Sequence, residues 1–369
     1  MGKQKESYMK KVWVKGITML LLATVLTGCG KKEENKTTAE IIPEPVVQTE
    51  APIETPEPEM DIHEGETQSL LTGLWIPEEE AKLRPYAVMF NNIKYANPQS
   101  GISEASILYE ALAEGGITRL MGIIEKPSSD RIGSVRSARH YFVSVADEYD
   151  AIFVHYGQTK YALSKIAELK VDNLSGLEGI GKTVFYRDNS VKAPHNAFAS
   201  KKGILEGTEI KGYRTEYREN LCNHFNFYEE NTVVEGTTAN LVKLGFSSYT
   251  TPFFEYNKGE ELYYRSQFDG GHIDANTGKQ LAFKNIIVQL VEESNIDSNG
   301  YQTIKFENAT GKGYYITNGK AQEITWEKNE SGKAMRYLDK DGKLLSINAG
   351  KTYIALYPTY RTEYLTISE

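Results

Sequence analysis

Three arginines on short, strongly patterned segments carry the first chemical signal in this chain. Arg119 lies in the apolar run 117–124, and Arg136 and Arg139 stand three apart in the stretch Ser-Val-Arg-Ser-Ala-Arg that begins at Ser134. A guanidinium presents a planar fork of N–H donors that matches carboxylate and phosphate groups, so three together suggest anion recognition. Other polar residues stand at the ends of apolar runs. Asn91 follows 86–90, His155 closes 150–155, Arg187 follows 183–186, and His195-Asn196 sits in an Ala-Pro-His-Asn loop. The carboxylates nearest in sequence to Arg119 are Glu110 and Glu114. Two chemistries fit this set. In one, an Arg/His/Asn pocket of Asn91, Arg119, Arg136, Arg139, His155, Arg187 and Asn196 binds an anionic envelope ligand or a partner protein. In the other, the chain is a hydrolase or transferase acting on an anionic cell-wall polymer, with His195 or His155 shuttling protons and Glu110 or Glu114 as base or nucleophile. A lone histidine more often makes structural hydrogen bonds than it catalyses, and no complete nucleophile–base arrangement is visible. The binding reading is therefore preferred.

The elements that must position these groups follow from periodicity. Residues 86–90 and 107–112 read as buried strands, with turn chemistry at 97–101 between them. Gly115-Gly116 turns the second strand into a third at 117–124, a hairpin. By period two, Arg119 shares a face with Ile117, Met121 and Ile123, where an unpaired charge is costly. Glu110 or Glu114 across the hairpin is the expected partner, and a structural ion pair weighs as much as a ligand contact. From Ser134 or Ser137 the pattern turns helical, with Val135, Ala138, Phe142, Val145 and Tyr149 at three-to-four spacing. Arg136 and Arg139 would then occupy the first helical turn, where cations are unfavourable unless an anion binds there or carboxylates elsewhere pair with them. A strand at 150–155, a helix at 160–170 and a strand at 183–186 form a strand–helix–strand unit with parallel pairing.

Beyond residue 231, short aromatic and β-branched runs alternate with turns, and twelve of the 24 tyrosines lie at or beyond Tyr249. This composition predicts a mainly antiparallel β region; a glycan-stacking surface is the sharper alternative. The expected fold class is α+β: a layered mixed-sheet domain with helices at 69–230, followed by a smaller, mainly antiparallel β-rich domain at 231–369.

The amino terminus indicates where the chain works. Residues 1–15 carry five lysines, residues 17–26 are apolar, and Leu26-Thr27-Gly28-Cys29 follows. The apolar run is too short to span about 30 Å of hydrocarbon, but it fits a secretory leader. The four residues match a bacterial lipobox, so 1–28 reads as a lipoprotein signal peptide and Cys29 as the lipidated (palmitate-bearing) mature first residue. That places the protein on the outer face of the cytoplasmic membrane. Residues 29–68 read as a disordered acidic, Pro-rich tether: 31–68 hold five prolines and eleven acidic residues with no aromatic. His63 within it is expected to be solvated. The chain has a formal charge of −8, and removing 1–28, with five lysines and Glu6, leaves −12. This argues against nucleic acid as a partner. The expected partners are the membrane, through the lipid, and an anionic cell-wall polymer or envelope protein. No zinc, P-loop, calcium-loop or nucleophile-elbow motif occurs, so no metal or cofactor is expected. Cys222 near His224 reads as a buried inert thiol.

A further set of motifs runs through the folded region: Arg84-Pro85 with Val88-Met89 and Asn91, Pro98-Gln99-Ser100-Gly101, Tyr109-Glu110, and Glu114-Gly115-Gly116-Ile117-Thr118-Arg119. It continues through Val135-Arg136-Ser137-Ala138-Arg139, Val154-His155 and Pro194-His195-Asn196. On these motifs the chain resembles a known family, the YerB-like lipoproteins of Gram-positive bacteria, which carry DUF3048 domains. The resemblance spans about residues 69–368. Ser69-Leu70-Leu71-Thr72-Gly73 departs from the family's Asn-Pro-Leu-Thr-Gly. The resemblance implies a layered α+β domain followed by a smaller β-rich one, and it transfers location and architecture rather than chemistry.

Overall fold

A computed structural model describes residues 63–369, apart from 220, 222 and 330–333. The leader, Cys29, the tether up to 62 and Cys222 lie outside the described residues. In chain order, the elements that build the site begin with strands Tyr86–Asn92 (β1), Ile107–Leu112 (β2) and Thr118–Ile124 (β3). Helix His140–Glu148 (α1), strand Ile152–His155 (β4), helix Lys160–Leu169 (α2), strand Asn173–Ser175 (β5) and helix Lys201–Ile210 (α3) follow. The later strands are Leu241–Leu244 (β6), Phe253–Asn257 (β7), Leu262–Gln267 (β8), Asn285–Asn295 (β9), Ala309–Thr317 (β10), Lys320–Lys328 (β11), Thr352–Pro358 (β12) and Leu365–Ser368 (β13).

Every residue of β1, β2 and β3 is buried, as strands covered on both faces must be. Gly115 and Gly116 (φ 69° and 75°) turn β2 into β3, a backbone region that suits glycine. These strands sit in a twelve-stranded mixed sheet whose spine runs β11-β10-β9-β12-β2-β3-β1-β4-β5. A second, six-stranded sheet is wholly antiparallel and includes β8-β7-β6-β13. Alternation divides the core into two layers. Ala87, Met89, Tyr109, Met121 and Ile123 pack with Phe142, Val145 and Ile166 of α1 and α2. Val88, Phe90, Leu108, Leu120 and Ile124 pack with Ile204 of α3 and with Val242, Phe254 and Tyr263 of the second sheet. Full burial of such side chains contributes about 1.5–3 kcal/mol each.

The fold is α+β: among the described residues the α-helices lie in the amino-terminal part, and the carboxy-terminal part is mostly antiparallel and β-rich, with one 3-10 helix at Thr359–Tyr364. Across the expected boundary between 69–230 and 231–369, β12 pairs in parallel with β2 on one side and β9 on the other. Both parts therefore share the large sheet. The strand–helix–strand unit is present, but β5, not residues 183–186, is the parallel partner of β4. Residues 181–184 form a helical turn, and Phe185–Arg187 joins a small antiparallel sheet with Ala197–Ala199 and Ile132–Gly133. Order also begins earlier than expected. Glu66–Gln68 pairs with Trp75–Pro77, and His63 stacks on Trp75 at 3.8 Å between ring centroids instead of standing free in solvent. At the departure from the family pattern, Ser69 Oγ accepts from Leu71 N and Thr72 N and donates to Glu125.

Candidate functional site

Sheet register decides where the charged side chains go. β3 pairs Arg119 with Ala111 of β2 and Asn91 of β1, whereas Glu110 is opposite Leu120. Directly opposed residues point to the same face, so Arg119 and Asn91 lie on the α1 face while Glu110 lies on the other. The expected Arg119–Glu110 pair is therefore corrected. Glu110 and Arg265 are both fully buried and pair at 2.7 Å. Glu110 also accepts from Tyr353 Oη (2.7 Å), Thr118 Oγ1 (2.6 Å) and Asn92 Nδ2 (3.1 Å). Arg265 further donates to Gln267 Oε1 and to His272 Nδ1, and His272 Nε2 reaches Gln99 Oε1 at 2.6 Å. Burial, then Arg265, holds His272 neutral, with its pKa well below the usual histidine value. Gln99 in turn donates to Asn91 O at 2.8 Å. Glu110 is thus part of a structural network joining the two sheets. Arg265, Gln267 and His272 are not among the residues that the sequence singles out, and Gln99 enters only through the Pro98-Gln99-Ser100-Gly101 motif, although Arg265 shares strand parity with the fully buried Tyr263.

Glu114 does not hold Arg119 either. It accepts two hydrogen bonds from Arg139, through Nε and Nη2. Burial would raise the Glu114 pKa, but the Arg139 hydrogen bonds and charge outweigh it and the value is lowered. Arg139 also donates to Ser137 O (3.1 Å) and Ala138 O (3.0 Å).

The helix expected from Ser134 or Ser137 starts at His140, with Arg139 as its N-cap. Residues before it run extended, because neighbouring backbone claims their hydrogen bonds: Arg136 N donates to Met89 O, Tyr156 N to Arg136 O, and Ala138 N to Gly157 O. Arg136 and Arg139 are therefore not first-turn neighbours. Arg136 donates from Nη1 to Pro194 O at 3.1 Å. This brings the 188–196 loop onto the site. His195 Nδ1 lies 2.8 Å from Asn91 Nδ2, and Arg119 Nη1 donates to Asn91 Oδ1 at 3.4 Å. With the amide nitrogen as donor, His195 Nδ1 accepts and the Nε2–H tautomer results. Arg187 donates to Asn196 Oδ1 at 2.7 Å and lies over the Tyr156 ring at 4.8 Å. His155 is set apart. It is 1% exposed, and its ring nitrogens contact Gly157 O (2.9 Å) and Asn173 Oδ1 (3.1 Å), joining β4 to β5.

Positive charge at this place exceeds its compensation. Arg119 is 4% exposed, has no carboxylate in salt-bridge contact among the described residues, and leaves Nε without a hydrogen-bond partner. Burial first, then the charges of Arg139 and Arg136, push its pKa down to about 9. Arg136 Nε is likewise buried and unpartnered, and burial with Arg139 and Arg187 lowers the pKa of its guanidinium. Burial, Arg136, Arg119 and Lys192 lower the His195 value, leaving a neutral imidazole. Among the described residues, Glu114 is the carboxylate that acts on Arg119 and Arg136, and it is already engaged by Arg139. An anion placed among Arg119, Arg136 and His195 would relieve each of these perturbations.

Comparison with known proteins agrees with the motif reading. Residues 71–214 match the N-terminal domain of the family described as "Protein of unknown function (DUF3048)", and 242–354 match its C-terminal domain. The chain belongs to the DUF3048 family. It is 35% identical over 291 residues to the candidate lipoprotein YerB of Bacillus subtilis (strain 168), covering 78% of this chain and 85% of that protein. The crystal structure of B. subtilis YerB superposes with a TM-score of 0.73 at 32% identity, spanning 82% of this chain and all of the other. The YerB-like resemblance read from the arginine, glycine and histidine motifs is thereby established.

Proposed function

We propose that this protein is an exported lipoprotein, anchored through Cys29 to the outer face of the cytoplasmic membrane, that binds an anionic cell-envelope ligand at Arg119, Arg136, His195 and Asn91. Arg187, which donates to Asn196 and whose charge acts on Arg136, belongs to the same site. The observation that carries the reading is Arg119, a buried guanidinium with no carboxylate in salt-bridge contact among the described residues and with its Nε–H unsatisfied. A buried cation persists where something else offsets its desolvation, and a ligand anion does so. The name of the B. subtilis relative, a candidate lipoprotein, fits the leader and Cys29.

Phosphate is the anion class that best fits two guanidinium groups beside an imidazole. The test is calorimetric titration of the full chain with inorganic phosphate and with a soluble poly(glycerol phosphate), using poly-glutamate for comparison. Saturable phosphate binding that weakens with salt supports the reading, and no binding of any of the three refutes it. A hydrolase or transferase reading draws on one feature, the neutral His195 held by Asn91 beside the arginines. Release of phosphate or of shortened polymer in the same samples, lost in His195→Ala, would convert the binding site into a catalytic one.

A further inference from the structure

A second place in the molecule has the makings of a ligand site and shares no residue with the arginine cluster. A cleft of about 680 Å³ opens between the tip of the β2–β3 hairpin, the 245–251 loop, the end of β9 and the turn after β12. Its volume lies within the roughly 300–1,000 Å³ of small-molecule sites. Five described tyrosines expose a large part of their surface, and two of them, Tyr360 (59%) and Tyr364 (49%), line this cleft. Arg361 stacks its guanidinium on the Tyr364 ring at 3.7 Å and donates from Nε to Gly245 O. Tyr360 is held by a hydrogen bond from its hydroxyl to Glu293 Oε2, while Glu293 Oε1 is buried with no partner. Among the described residues, Glu293 and Arg361 are the charged groups on the wall, and Asn295, Gln302, Thr251 and serines supply further polar groups.

Exposed aromatic rings beside amides, hydroxyls and a carboxylate oxygen lacking a donor suit a ligand with apolar C–H faces and a rim of hydroxyl groups. A pyranose ring has both. We propose that this cleft binds an uncharged oligosaccharide segment, with sugar rings against Tyr360 and Tyr364 and a sugar hydroxyl or amide N–H donating to Glu293 Oε1. The site stands independently of the anion site, since one charge of each sign gives it no preference for anions. Saturation-transfer NMR and calorimetry on the full chain in detergent, with neutral β-1,4 tetrasaccharides of N-acetylglucosamine, glucose and galactose, test this directly. At least one should bind saturably. Tyr360→Ala and Tyr364→Ala should each lower its affinity by about tenfold or more, while Tyr360→Phe stays within about threefold of wild type. Both tyrosines are exposed, so unchanged circular dichroism should accompany these losses. Absence of binding by all three sugars, or binding that survives both alanine variants, would overturn the assignment.

Discussion

Arg119→Met separates the anion-binding account from a purely structural one. Methionine keeps a long, adaptable side chain in the space between Asn91 and Ala111 but removes the charge. A guanidinium normally keeps its proton past about pH 12, whereas burial and the neighbouring arginines push Arg119 down to about 9. About three and a half decades of depression correspond to roughly 5 kcal/mol against the charged form, an upper bound on what the substitution relieves. Replacing buried charges by apolar groups stabilises by about 1–4 kcal/mol in favourable cases, so a gain near the lower part of that range is expected. Urea unfolding of the full chain, monitored by fluorescence, reads it as a higher midpoint with unchanged slope. The difference also has a pH signature. Above about 9 the folded protein releases the Arg119 proton while the unfolded chain keeps it. Wild-type stability then rises with pH and the advantage of the variant shrinks. The same variant should lose phosphate binding. If Arg119→Met is instead destabilised by more than about 1 kcal/mol, the side chain holds the fold together and the reasoning fails.

Three further outcomes follow from other parts of the structure. Arg136 is half-buried and bonded to one loop carbonyl, so Arg136→Ala should cost phosphate affinity about tenfold, or ~1.4 kcal/mol, while the unfolding midpoint moves little. The fully buried Lys328 lies 2.6 Å from Glu148, which also meets His224 at 3.1 Å. Lys328→Met should therefore strand a buried carboxylate and cost roughly 3–5 kcal/mol in urea unfolding. Because 26–29 match a lipobox, Cys29→Ser should move the protein from the membrane fraction to the soluble fraction, and unchanged membrane association would contradict the anchor.

Much of the frame could be read from residue types alone. The β1, β2 and β3 strands, the Gly115-Gly116 turn and most of the later β runs announced themselves through alternation and turn chemistry. What could not be read was which charges meet. Glu110 finds Arg265, 155 positions away, and no local pattern encodes so distant a partner. Proximity across the hairpin suggested Arg119 instead, although the register that pairs Glu110 with Leu120 puts the two on opposite faces. The start of α1 was misplaced for a related reason. Serines at 134 and 137 are good N-caps in isolation, but the backbone there is already bonded to Met89, Tyr156 and Gly157. Arg139, for which an anion or a carboxylate was equally open, is clamped by Glu114, whereas Arg119, weighed between an ion pair and a ligand contact, has no carboxylate in salt-bridge contact among the described residues. Among the histidines, His195 joins the cluster through Asn91, whereas His155, equally prominent as a strand end, is spent on holding β5.

The most direct measurement of the central claim is calorimetric titration of the full chain with poly(glycerol phosphate) across about pH 5 to pH 10. Binding should be tightest at the acid end, where bound phosphate favours protonating His195, whose pKa is low in the free protein because of burial, Arg136 and Arg119. It should weaken as pH passes about 9 and Arg119 loses its charge, and it should vanish in Arg119→Met. Equal affinity in that variant, or no saturable binding by the wild-type chain at any pH, would contradict the account.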